Sequence, residues 1–128
     1  MTHKCTLTLL ATSAIAAEHL LVKFGADAQH AVLAGAADLP IGTVPDTPSA
    51  GDECAVNLLG ATNETIEMVA SAAIDAGALV CVTTGGKVKT LPTANGTYYV
   101  VGQTVSAAAA NNDLVEVVSC VPYKIVIS

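Results

Sequence analysis

Short apolar runs punctuated by turn residues recur from one end of the chain to the other. Cys5, Leu7 and Leu9 alternate with Thr6 and Thr8, the period of two that a pleated strand requires. Runs of this kind predict strands at 5–10, 19–24, 29–33, 53–59, 65–70, 79–84, 87–91, 97–105, 114–120 and 123–127. Val, Thr and Ile dominate them, and their branched side chains suit a pleated surface. Gly85-Gly86 predicts a hairpin between 79–84 and 87–91, and Asn95-Gly96 a second one leading into 97–105. Gly25, Gly51, Gly77, Gly85, Gly86, Gly96 and Gly102 are the candidate turn glycines.

Three stretches break the strand pattern. Residues 71–77 carry an Ala-rich run, a possible N-cap at Ser71 and a terminal Gly77, which fits a short helix. Four consecutive alanines at 107–110 allow a second helix or a loop over 106–112. Pro40, Pro45 and Pro48 make 40–49 a surface excursion unable to supply a central strand. With no linker and no repeat, the expectation is a single domain over 1–128, with an N-terminal arm or strand at about 1–23. The fold class is all-β: a compact barrel or sandwich of short antiparallel strands with one or two short helices.

Composition narrows the functions open to such a domain. The 128 residues are 52% hydrophobic and 12% charged, which excludes intrinsic disorder. Five Lys face eleven acidic residues, for a net charge of −6, and Arg is absent. These features argue against nucleic acid and against an anionic membrane surface as partners. With 3% aromatic residues there is no stacking platform for single strands. Mean hydropathy is +0.59, yet Thr, Asp, Gly or Lys interrupts every apolar stretch before the roughly 18 residues of a spanning helix. Residues 5–17 imitate a secretory signal with a small-residue site near Ala14 to Ala16, but the alternation at 5–9 reads as structure, not address.

The residues with reactive side chains form no familiar constellation. Cys5, Cys54, Cys81 and Cys120 lack metal-ligand spacing, and Cys54 shares a pleat face with Val56 and Leu58. They read as reduced, buried small hydrophobes, suited to assembly in a reducing cytoplasm. A nucleophilic pair assembled from Cys54 or Cys81 with His19 or His30 is the only catalytic option, and nothing else in the sequence singles those histidines out. Asp52, Glu53, Glu64, Glu67, Asp113 and Glu116 fall where turns and exposed faces are expected. Gly85-Gly86-Lys87 lacks the remainder of a phosphate loop, and the sequons at Asn63 and Asn95 coincide with predicted turns. No cofactor or metal is implied.

The order of these pieces resembles the capsid decoration, or cement, proteins of tailed bacteriophages. The resemblance runs from Phe24 to Pro122. It rests on Phe24-Gly25, Pro40-Ile-Gly-Thr-Val44, Ala50-Gly-Asp-Glu53, Met68-Val-Ala-Ser71 and Ala73-Ile-Asp-Ala-Gly77. It continues through Gly86-Lys-Val88, Gly96-Thr-Tyr-Tyr-Val-Val-Gly102, the alanines at 107–110 and Val115-Glu-Val117 before Pro122. Residues 1–23 depart from the family pattern in being longer and more apolar. The resemblance implies a structural virion protein made in the host bacterial cytoplasm. Such a protein binds the outer surface of the major capsid protein lattice, often as a homotrimer at three-fold or quasi-three-fold positions, and has no enzymatic role.

The alternation at the start of the chain would be wasted on a free tail. His3, Lys4, Cys5, Leu7 and Leu9 are therefore the candidate subunit or capsid contacts. Two rival readings differ in class: a secreted β-domain that binds a carbohydrate or host surface, and a small Cys–His hydrolase.

Overall fold

The computed structural model describes residues 6–27, 29–61 and 64–128, and all their regular elements but one 3-10 turn are strands. In chain order these are β1 (Thr6–Ala11), β2 (Leu20–Phe24), β3 (His30–Leu33), β4 (Gly42–Val44) and β5 (Glu53–Leu58). Then follow β6 (Ile66–Val69), β7 (Leu79–Thr83), β8 (Lys87–Thr90), β9 (Gly96–Thr104) and β10 (Leu114–Ile127). The first five close into a barrel in the order β1-β3-β2-β4-β5, with β5 returning antiparallel to β1 from Leu10–Glu53 to Thr6–Asn57. Closure removes the exposed edges that an open sheet carries. The other five form a sheet in the order β6-β10-β9-β7-β8. It curls until its two outer strands meet, where Ala70 makes a parallel bridge to Val88.

Strand β2 explains how the two sheets share a wall. Leu20-Leu21-Val22 is apolar without alternation, the signature of a strand covered on both faces. Leu20 and Val22 point into the barrel with Leu9, Ala11, Val44, Cys54 and Val56. Leu21 points the other way, into a core built by Met68, Val80, Val82, Val88, Val101 and Val117 of the second sheet. Val69 crosses in the opposite sense, from β6 into the barrel core. At ~25 cal/mol per Å² of apolar surface, this interlocked burial is the main force holding the sheets together.

The β7–β8 turn tightens the junction. Gly85 and Gly86 have φ of 76° and 77°, the left-handed pair of a tight hairpin turn. The Gly86 N–H donates to the Ala34 carbonyl at 2.9 Å, bringing the hairpin tip against β2. A Cβ on Gly86 would lie 2.7 Å from the Leu21 carbonyl oxygen, so the position excludes side chains twice over.

Five expectations are corrected. The 71–77 segment is not helical, 106–112 takes the loop alternative, and among the described residues the only helical segment is a single 3-10 turn at Thr84–Gly86. Instead Ile74 and Ala108 exchange two backbone hydrogen bonds of 2.9 Å, and both side chains are buried in the second core. A seven-residue Ala-rich stretch gains too few helical bonds to offset nucleation, so cross-loop pairing prevails. Residues 40–49 do supply a central strand: β4 is fully buried between β2 and β5. Pro40 and Pro45 bracket its three residues without interrupting them, so no ladder donor is lost.

Asn95-Gly96 does not join a β8–β9 hairpin, because β7 lies between those strands. Finally, 114–120 and 123–127 are one strand of 14 residues, with Pro122 at the register shift between Ser119 and Tyr123. The pairing is also not wholly antiparallel, since Leu10 and Ala11 of β1 run parallel to His30 and Ala31 of β3.

Candidate contact surfaces

His3, Lys4 and Cys5 lie outside the described residues. The two other N-terminal candidates separate along β1. Leu9 is 4% exposed and belongs to the barrel's own core, whereas Leu7 is 37% exposed at the rim. β3 joins β1 only at Leu10 and Ala11, leaving Thr6–Leu9 unpaired on that side among the described residues. Thr8, Leu9, Leu10, Gln29 and Glu53 line a shallow, open depression of about 370 Å³ there. Of the candidate turn glycines, Gly51, Gly77, Gly85, Gly86 and Gly96 have positive φ. Gly25 lies in the β2–β3 connection, and Gly102 lies inside β9.

The reactive side chains are held in structural roles. Cys54 and Cys81 are buried and Cys120 half-buried, all three as free thiols. Burial pushes each thiol above its ordinary value near 9, with the Asp46 carboxylate adding to the effect at Cys54. Thiols shifted this way are poor nucleophiles. The histidines are partnered by carboxylates. The His30 Nδ1–H donates to Asp27 at 2.7 Å and holds that carboxyl below its ordinary value, helped by the Gln29 N–H. His19 places Nε2 3.9 Å from Glu67 and 4.0 Å from Glu18. Among the described residues no three His, Cys, Asp or Glu side chains are grouped to hold a metal ion.

Several acids serve the turns, a role that the sequence pattern concealed behind solvated charge. Asp113 accepts the N–H groups of Ala109 and Ala110, both at 3.0 Å, and so ends the alanine loop. Asp38 accepts the Gly35 N–H at 2.8 Å and pairs with Lys23 at 3.0 Å; these two interactions, in that order, lower its pKa. Asp52 accepts from Ser49 ahead of β5. The short spacing of Asp to a Gly, Ser or Ala amide was the available signal.

The exposed large apolar side chains are concentrated. Among the described residues ten large hydrophobic side chains are exposed, and five of them are on β10: Leu114, Val118, Val121, Tyr123 and Val126. Val121 is 71% and Val126 61% exposed, more than any of the others. Lys89 sits over the Tyr98 ring at 5.8 Å beside this surface. Apolar exposure gathered on one element marks an interaction surface.

The described residues thus form an all-β module whose acids build turns and whose longest strand carries half of the exposed large apolar side chains. The sequence model of the phage cement protein family matches residues 1–119, and the chain belongs to that family. It is thus a structural protein of the phage head, associated with the capsid, in a family that is not a class of enzymes. Among solved structures it is similar to the head fiber gp8.5 N base of bacteriophage phi29. The TM-score is 0.68 at 22% identity, over 89% of this chain and 92% of that one, which is a likeness of fold. No curated protein matches the sequence.

Proposed function

We propose that this protein binds the outer surface of the major capsid protein lattice and stabilises the head, as homotrimers at three-fold or quasi-three-fold positions. The observation that carries the reading is the family match over residues 1–119, together with an exposed apolar surface gathered on β10. Residues 1–128 act as one domain, because each core takes side chains from the other sheet. Contact with the lattice needs surface complementarity and a stiff body, and two interlocked sheets provide stiffness. Three copies carry −18 charges (three times −6), so the subunits meet through apolar surface with their acids at the rim. Three lattice contacts then act together through avidity. The free, buried thiols suit synthesis in the host bacterial cytoplasm.

Adding the purified protein to capsids assembled without it tests the reading. Saturable co-sedimentation, with a rise in the temperature at which the capsids come apart, is the expected result. Capsids that neither bind the protein nor gain heat resistance would overturn it.

A further inference from the structure

β10 outlasts its neighbours. β6 pairs with it only from Leu114 to Val117, and β7 meets β9 only at Val100, Gly102 and Gln103. Beyond these points Gly96–Val100 and Tyr123–Ile127 form a continuous ladder with each other. Past Val100 the strand pairing of β9 and β10 is with each other alone, and the nearest flanking backbone is Gly60, against β10 at Cys120–Val121. The end of the second sheet is therefore a two-stranded ribbon with an open β9 edge on one side and an open β10 edge on the other. Such a ribbon is marginal in water by itself, and its edges invite further strands.

The register sorts its side chains. Directly opposed residues share a face, so Val100–Tyr123, Tyr98–Ile125 and Gly96–Ile127 make one face with no charged residue of its own, its nearest charge being the Lys89 ammonium over the Tyr98 ring. Tyr99–Lys124 and Thr97–Val126 make the other. None of the eleven acidic residues falls in 96–105 or 117–128. In a chain of net charge −6, this is where a second copy approaches with least repulsion.

We infer that the β9–β10 ribbon is the surface through which copies of this chain join, the β10 edge of one copy pairing with the β9 edge of the next. The two edges belong to different strands, so the contact is heterologous and closes only as a ring. Three ribbons then make a six-stranded β-structure about the three-fold axis, with the Tyr98, Tyr123, Ile125 and Ile127 face turned inward. A β10–β10 contact would stop at two copies and leave both β9 edges open. The inference rests on the trimer reading above and names its interface.

Native mass spectrometry and light scattering of the full chain test it at micromolar concentration. Wild type should be a trimer. Ile127→Glu, which puts a carboxylate on the inward face at the far end of the ribbon, should give a folded monomer. Its self-association should be weaker by on the order of a hundredfold or more. Leu39→Glu, at a position 54% exposed in the β3–β4 loop, should remain a trimer. Hydrogen exchange supplies a reading that needs no variant: amides of 96–99 and 123–127 should gain protection as the protein is concentrated. A wild-type monomer, an Ile127→Glu trimer, dissociation by Leu39→Glu, or no concentration-dependent protection would overturn the inference. An Ile127→Glu trimer that still decorates capsids would remove this interface and leave the proposed function standing. A ribbon-dependent trimer that ignores capsids would do the reverse.

Discussion

Gly85 and Gly86 are adjacent and share the same left-handed backbone, yet their surroundings differ. A Cβ on Gly85 meets nothing within 4 Å, whereas one on Gly86 meets the β2 backbone at Leu21. Gly85→Ala should cost only backbone strain, about 1 kcal/mol, and Gly86→Ala that strain plus displacement of the hairpin tip, about 2–4 kcal/mol in all. Urea unfolding of the two variants checks the order. The buried thiols give a second residue-scale prediction. Burial raises Cys54 and Cys81 above their unfolded value near 9, so folding favours their neutral form. Their contribution to stability is complete below pH 9 and is lost as pH rises through the folded values. A Cys54→Ala/Cys81→Ala variant should start less stable and lose less on alkaline titration, read from the urea midpoint. Cys54 and Cys81 as core were legible in the sequence, because Cys54 alternates with Val56 and Cys81 with Leu79 on strand faces. The turn-building role of Asp113 was only signalled by its short spacing from Ala109 and Ala110, because the bonds themselves need amides that approach after the loop has folded.

At the scale of elements, loop pairing takes the place of helix. The 71–77 and 106–112 segments hold each other through Ile74 and Ala108, and Asp113 fastens the second. Asp113→Ala should therefore cost about 1 kcal/mol and speed hydrogen exchange at Ala108, Ala109 and Ala110. Unchanged exchange there would contradict the role. Most strands were legible from alternation, because one face of each packs on a core and the other does not. β4 was hidden by Pro40 and Pro45, whose meaning depends on falling just outside a three-residue strand. The joining of 114–120 to 123–127 was hidden by Pro122, which sits at a register shift that accommodates it. The local preference of alanine for helix was overridden by burial of Ile74 and Ala108, a tertiary effect that no window of sequence contains. The division of the N-terminal contact candidates into a rim residue, Leu7, and a core residue, Leu9, was hidden for a related reason. Alternation shows which side chains share a face, but not where along the strand the barrel ends.

The described molecule is a pair of interlocked β-sheets, and half of its exposed large apolar side chains lie along β10. The family places such a molecule in the phage head, and its net charge of −6 leaves the β9–β10 end as the surface best suited to self-association. Binding that depends on apolar contact should vary little with salt, since screening weakens charge pairs and not burial. Occupancy of capsids that collapses in moderate salt would point to charged contacts elsewhere. The most direct test of the account is a reconstruction of virions carrying this protein. It should show density for the chain on the outer capsid surface, three copies meeting at three-fold or quasi-three-fold positions. Density on the inner surface, in the tail, or as isolated monomers away from those positions would contradict it.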